Sequence, residues 1–175
     1  GIPRASTPGG GAGFETVDRV PSYMRNRTRR LEMKPIRIAA AVIHFFVGLG
    51  ACAGGWAAVL NPASPLGAPS EMLKRGPFEN FLIPGLFLLI VIGLGNIISG
   101  VLALKQVPAH AYVTGAMGAV LIGWIVIQCY ILQAIGGLHI VFFAVGCVQG
   151  MIALAELWLS NQFPMPIVRR ILRKD

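Results

Sequence analysis

Four long apolar stretches alternate with short polar segments along the chain. They cover residues 38–60, 81–104, 109–133 and 138–159; the first three contain no Asp, Glu, Lys or Arg, and the fourth contains only Glu156. Each stretch exceeds the roughly 20 residues that a helix needs to cross about 30 Å of hydrocarbon. Because lipid offers no partner for a backbone polar group, each stretch is expected to be helical. The pattern predicts an all-α polytopic membrane protein, a bundle of four transmembrane helices.

The polar segments divide the chain into three parts. Residues 1–37 are predicted to form an extended basic arm, residues 38–160 the four-helix domain, and residues 161–175 a basic C-terminal segment. In the last segment apolar and basic pairs alternate, which is typical of a short amphipathic helix on a membrane surface; a solvated tail is the alternative. The first loop is expected to hold a helical turn near residues 70–73. The Gly-Gly turn at residues 136–137 predicts that the third and fourth helices form an antiparallel hairpin.

Composition supports the membrane interpretation. Of 175 residues, 55% are hydrophobic and 13% charged, whereas a soluble domain carries about 25% charged residues. The net charge is +8, and 13 of the 15 basic residues lie before the first stretch, between the second and third, or after the fourth. By the positive-inside rule both termini are expected in the cytoplasm.

The basic clusters could in principle bind nucleic acid, but no aromatic residues are interleaved with them to stack on bases. Contacts with anionic lipid heads explain them better. The residues expected to make these contacts are Arg29, Arg30, Lys34, Arg37, Arg169, Arg170, Arg173 and Lys174.

Small residues recur at four-residue spacing within the apolar stretches. Such spacing allows helix backbones to approach closely in lipid. Two uses remain open, which are packing within the bundle and a face for another subunit. The residues concerned are Gly50, Gly54, Gly115, Ala119, Gly123, Gly146 and Gly150.

Polar residues at membrane depth are the candidates for a functional site, because they are costly there. His44, Asn96 and Glu156 are each expected at roughly 10–12 Å from the cytoplasmic edge. They predict a polar cluster with a His–Glu pair, which could relay protons, bind a lipid head or a quinone, or hold the bundle together. In the alternative, Glu156 reaches the interface and meets Lys105 or a C-terminal Arg. Gln128, Gln133 and Gln149 could form a second, outer patch.

Known catalytic and cofactor patterns are missing from the sequence. It contains neither a Gly-x-Ser-x-Gly segment nor a phosphate-binding loop. His110 and His139 are expected at opposite ends of the bundle, which does not suit two axial ligands of a haem. We therefore predict no catalytic residue, no metal site and no cofactor, apart from a bound lipid or quinone as one use of the cluster.

Two segments carry a family resemblance. The run Gly-Pro-Phe-Glu-Asn-Phe-Leu-Ile-Pro-Gly-Leu at residues 76–86 and the run Gly-Trp-Ile-Val-Ile-Gln at residues 123–128 resemble a family of small four-helix bacterial membrane proteins with no established activity. The resemblance covers about residues 34–160. It implies the four-helix fold and a bacterial cytoplasmic membrane, and the long basic arm departs from the short termini usual in that family.

Three functions follow as hypotheses. The first is a non-catalytic accessory subunit of a larger membrane complex, docking through the small-residue faces and the N-terminal arm. The second is a small oligomeric transporter or channel that uses Glu156 and His44. The third is a membrane enzyme acting on a lipid or a quinone. The expected partners are membrane lipids and other membrane subunits.

Overall fold

The fold is a bundle of four long helices. A computed structural model describes residues 22–73, 75–160 and 162–164, with side chains from residue 33 onward, and contains no strand in these residues. The helices are α1 (Ser22–Leu60), α2 (Leu82–Leu104), α3 (His110–Leu132) and α4 (Gly137–Ser160). Within α1, the part apolar enough to cross a membrane is Met33–Leu60. The predicted all-α four-helix fold is confirmed.

Three of the four helices start and end within one residue of the predicted stretches, but α1 begins much earlier. The helix continues from Ser22 through Pro35, so residues 22–37 of the predicted basic arm are helical. An interior proline removes one backbone hydrogen bond. The preceding residues include several Arg with Leu, Glu, Met and Lys, which favour helix. Residues 1–21 and 165–175, including the predicted amphipathic segment, lie outside the described residues.

Glycine allows α1 and α2 to pack at backbone distance. A Cβ added to Gly48 would lie 3.1 Å from the carbonyl oxygen of Gly93, and one added to Gly55 would lie 2.7 Å from that of Gly85. In the same way, α3 packs closely against α4, because a Cβ added to Gly118 would lie 2.8 Å from the carbonyl oxygen of Gly146. The bundle is therefore two tight hairpins, α1–α2 and α3–α4, as expected for the latter pair.

The two hairpins meet mainly through α1 against α4 and through the end of α2 against α3. We call the end that carries residues 61–81 and 133–136 the loop end, and the end that carries residues 105–109 the turn end. The loop holds two single-turn 3₁₀ helices, Pro65–Gly67 and Ser70–Met72, and the second confirms the predicted helical turn. The loop is tied to α3 by the amide of Arg75, which donates to the carbonyl of Ile131 at 3.0 Å.

The largest apolar cluster lies in the loop-end half of the bundle. It contains Val47, Ala51, Ile92, Leu121, Trp124 and Ile125. Ile92 belongs to a π-helical segment of α2, Leu88–Leu94. Toward the turn end this cluster is replaced by buried polar side chains, which form the candidate site.

Candidate functional site

Four buried polar side chains, one from each helix, form a hydrogen-bonded network at the centre of the bundle. His44 Nδ1 lies 2.7 Å from Asn96 Oδ1, and His44 Nε2 lies 3.1 Å from Thr114 Oγ1. Gln149 Nε2 lies 2.8 Å from Asn96 Oδ1. All four residues have 0% exposure. The network therefore links both hairpins through side chains that water does not reach.

The hydrogen-bond partners determine which ring nitrogen of His44 carries a proton. Asn96 Nδ2 donates to the carbonyl of Ile92 at 2.8 Å, so Oδ1 is the atom that faces His44. An amide oxygen only accepts, hence His44 Nδ1 carries a proton and donates to it. In the neutral ring Nε2 then accepts from the Thr114 hydroxyl. Asn96 Oδ1 also accepts from Gln149 Nε2 at 2.8 Å, and Gln149 Nε2 lies 3.1 Å from His44 Nδ1 as well, so this one oxygen joins two neighbouring donors.

A second buried polar contact lies one helical turn nearer the turn end. His110 Nε2 is 2.8 Å from Glu156 Oε2, and the two side chains are 3% and 0% exposed. The two facing atoms are at ion-pair distance but are not aligned for a hydrogen bond. Glu156 Oε1 is buried and has no hydrogen-bond partner among the described residues. Removing an unpaired charge from water is strongly unfavourable. His110 is therefore needed as the neutralising partner of Glu156.

The contact between His110 and Glu156 is made by the Nε2 atom of the histidine ring. His110 Nδ1 lies 2.8 Å from the carbonyl oxygen of Val107, which only accepts, so Nδ1 is protonated. At 2.8 Å two bare lone pairs of Nε2 and Oε2 would repel each other. A proton on either of these two atoms would remove this repulsion.

The predicted cluster of His44, Asn96 and Glu156 is divided between these two layers. The structure brings His44 and Asn96 together, but it pairs Glu156 with His110 rather than with His44. The alternative in which Glu156 reaches Lys105 at the interface is wrong, because Glu156 is fully buried. Depth alone could not show this, since it fixes the level of a residue along the bundle but not the direction in which it points.

Three members of the two layers were not predicted as site residues. The sequence predicts Gln149 in an outer patch and His110 at an end of its helix, and it gives no prediction for Thr114. A signal for them exists in the helical period of about 100° per residue. Thr114 lies about 40° from His110 around α3, and Gln149 about 20° from Glu156 around α4, so each pair shares one face.

The predicted small-residue stripes are split between buried and open positions. Gly146 packs against α3, and a Cβ at Gly115 would lie 3.2 Å from Ala153 Cβ. A Cβ added at Gly123 or Gly150 would meet no described atom within 4 Å. Positions four apart turn by about 40° at each step. A stripe from Gly115 to Gly123 therefore rotates out of the bundle, and Ala119 is exposed.

The remaining small residues, Gly50 and Gly54, lie on α1 beside a cavity. A Cβ there would be 3.9 Å from Phe142 Cζ and 3.4 Å from Leu88 Cδ2, respectively. These are ordinary contact distances rather than close backbone approaches. Gly50 and Gly54 therefore leave space in the bundle instead of closing a helix crossing.

Two of the predicted lipid-head residues have described side chains. Lys34 and Arg37 line a cleft of about 160 Å³ at the turn end, between α1 and the end of α2. Arg29 and Arg30 lie in the described helix without described side chains, and Arg169, Arg170, Arg173 and Lys174 lie outside the described residues. Lipid contact by these residues stays a prediction.

These observations define an integral membrane protein: four helices long and apolar enough to cross a membrane, with polar layers enclosed between them. Among the described residues, no three His, Cys, Asp or Glu side chains are grouped so as to hold a metal ion. Comparison with family models, curated proteins and solved structures finds no match. The resemblance to the bacterial four-helix family therefore stays a prediction.

Proposed function

We propose that the protein is a non-catalytic accessory subunit of a larger complex in the bacterial cytoplasmic membrane, with both termini in the cytoplasm. The observation that carries the proposal is a face of α3 that the other three helices leave uncovered. This face, here called the open α3 face, has small residues at its centre and tyrosines at its ends. Its exposed members are Tyr112, Ala116, Ala119, Gly123, Val126, Ile127 and Tyr130, with the two branched residues lying between Gly123 and Tyr130.

The open α3 face differs from the other outward faces of the bundle. Outward positions of α1, α2 and α4 are mostly large and branched or aromatic, such as Phe46, Ile90 and Leu154, which are 55–60% exposed. Large side chains fill the space between lipid chains, whereas small residues let another helix approach closely. The small residues at the centre of the open α3 face therefore fit a transmembrane helix of a partner better than they fit lipid.

The two polar layers agree with a supporting role. Their side chains contact one another, and the network joins the hairpins of one chain. Within the described residues, a cavity of about 440 Å³ lies beyond Val47, Ile92 and Leu121, one turn from the network. The four side chains are fully buried and bonded to one another, which favours a network that maintains the shape of the bundle.

Gly123→Leu tests the docking proposal. A leucine at this position meets no atom of the bundle within 4 Å of its Cβ, so the fold is expected to persist while the open α3 face is blocked. We expect co-migration with the larger complex, measured after gentle extraction by native gel and mass spectrometry, to fall at least tenfold. Gly50→Leu, on α1, is the matched control and is expected to keep co-migration.

Two results would count against the accessory role. One is a wild-type protein that migrates alone or only with copies of itself. The other is equal co-migration of the Gly123→Leu variant and the wild type, which would move the docking surface away from α3.

The contact of His110 with Glu156 favours one alternative, a proton-coupled transporter or channel. A buried ionisable pair within membrane helices marks many proton pathways. Nε2 and Oε2 lie 2.8 Å apart, a distance over which a proton can pass between the two groups. The network of His44 lies at the next level along the bundle, one turn of α3 away at Thr114.

Glu156→Gln separates the two functions. Glutamine keeps the shape of the side chain but cannot give up a proton to His110. The assay follows proton flux into proteoliposomes with a pH-sensitive dye. If the protein is a proton-coupled transporter, the flux is expected to fall at least tenfold in the Glu156→Gln variant and to stay unchanged in the control variant, His139→Gln. An accessory subunit is expected to show no flux before or after the change and to keep its co-migration.

A further inference from the structure

A cavity of about 440 Å³ lies between the two hairpins in the loop-end half of the bundle. All four helices line it, and Leu66 of the loop lies at its edge. Its volume is that of a typical small-molecule site, and such sites are commonly found between the helices of bundles. The two polar layers described above do not belong to it.

The cavity exists because α1 has small residues where it passes α4. Gly50, Ala53 and Gly54 line it on this side. The nearest described side-chain atom to a Cβ at Gly50 is Phe142 Cζ at 3.9 Å. By contrast, Gly48 and Gly55 allow backbone contact with α2. Small residues on one face of α1 close the hairpin, and those on another face keep a space open.

The lining is apolar, but it includes hydrogen-bond donors without charges. Trp124 Nε1 is buried and has no hydrogen-bond acceptor among the described residues, and an indole N–H can only donate. His139 Nδ1 accepts from the amide of Gly136 at 3.0 Å, so in the neutral ring Nε2 carries the proton. Gln128 adds an amide. Among the described residues of the lining there is no Asp, Glu, Lys or Arg.

These features specify the chemistry of an occupant. An uncharged lining in a membrane selects an uncharged ligand, because a buried charge would have no counter-charge. The donor of Trp124 needs an acceptor, which a carbonyl oxygen supplies. The indole ring is stacked on Phe87 with centroids 4.5 Å apart, so the wall around this donor is aromatic and flat.

We propose that this cavity binds an uncharged, carbonyl-bearing molecule that dissolves in the membrane, with a carbonyl oxygen accepting from Trp124 Nε1. Two sources share this chemistry, which are the ring of an isoprenoid quinone and the ester group of a neutral glycerolipid. The binding site is independent of the docking function, since the cavity and the open α3 face involve different residues.

The test uses the fluorescence of Trp124 in the full chain. Trp56→Phe and Trp158→Phe leave Trp124 as the single indole. Decylubiquinone and a diacylglycerol with brominated chains are the two probes, because each quenches a tryptophan that it touches. We expect saturable quenching by one of them, which identifies the source. Gly50→Leu is expected to weaken this binding at least tenfold, and Gly123→Leu, outside the cavity, to leave it unchanged.

Trp124→Phe provides a second measurement. It keeps an aromatic wall but removes the donor, so the amount of molecule that co-purifies, measured by native mass spectrometry, is expected to fall about fivefold, as for one lost hydrogen bond. Ala53→Leu replaces Gly50→Leu if the latter does not fold. The proposal would be overturned if neither probe quenched Trp124 or if the quenching did not saturate. It would also be overturned if the Gly50→Leu or Ala53→Leu variant were quenched as strongly as the protein without that change.

Discussion

Replacing Gly55 by leucine is expected to separate α1 from α2 and to destabilise the first hairpin strongly. A Cβ at this position would lie 2.6 Å from the backbone nitrogen of Leu89 and 2.7 Å from the carbonyl oxygen of Gly85. Backbone atoms of a packed helix cannot move aside as a flexible side chain can. Overpacking of this kind costs about 1–3 kcal/mol even where neighbours relax, and a leucine adds three carbons beyond the Cβ.

The measurement is the free energy of unfolding in mixed micelles during titration with sodium dodecyl sulfate. We expect a loss of about 3 kcal/mol for Gly55→Leu, with Gly55→Ala intermediate. Gly123→Leu adds the same side chain at an open position and is expected to change the free energy by less than about 0.5 kcal/mol. Equal stability of the Gly55→Leu variant and the wild type would mean that α1 and α2 are not packed at Gly55.

Replacing Asn96 by leucine is expected to weaken the connection between the two hairpins. Its Oδ1 atom accepts from both His44 Nδ1, at 2.7 Å, and Gln149 Nε2, at 2.8 Å. Leucine fits a helix but accepts no hydrogen bond, so two buried donors lose their acceptor together. Each unpaired buried donor costs about 1–3 kcal/mol. We therefore expect a loss of about 3 kcal/mol, above the roughly 0.6 kcal/mol average for one hydrogen bond between membrane helices.

Ser99→Ala is the matched control for Asn96→Leu. Ser99 is equally buried on the same helix, but its hydroxyl donates only to the carbonyl of Gly95 in its own helix, at 2.7 Å. Removing a bond within one helix is expected to change the free energy of unfolding by less than about 1 kcal/mol. If Ser99→Ala and Asn96→Leu had equal effects in the same titration, the network would contribute nothing to the joining of the hairpins.

The sequence predicts the four membrane helices to within a residue at most ends, for a simple reason. Hydrocarbon excludes charge and unpaired backbone, so the limits of an apolar stretch are the limits of the buried helix. The start of α1 differs from the prediction because this helix begins outside the apolar stretch, where the membrane does not determine its limit. Residues 22–37 are polar, and their helix depends on residue propensity and on tolerance of Pro35.

The depth of the site residues along the bundle is predictable from the sequence, but the side chains that they contact are not. His44, Asn96 and Glu156 are all buried as expected for costly polar groups at depth. Which of these side chains contact one another depends on the rotation of each helix about its own axis. Close glycine contacts set this rotation, and each of them involves two helices, so the spacing within one helix does not predict it. Gly48 and Gly55, which pack against α2, share α1 with Gly50 and Gly54, which do not. Four-residue spacing alone does not separate these two groups.

The distribution of polar partners has a consequence for the way the chain enters a membrane during synthesis. His44 and Asn96 both belong to the α1–α2 hairpin, while His110 and Glu156 both belong to the α3–α4 hairpin. Each hairpin can therefore leave the insertion machinery with its most polar groups already neutralised by its own second helix. Only Thr114 and Gln149 must find their partners afterwards, when the two inserted halves meet within the lipid.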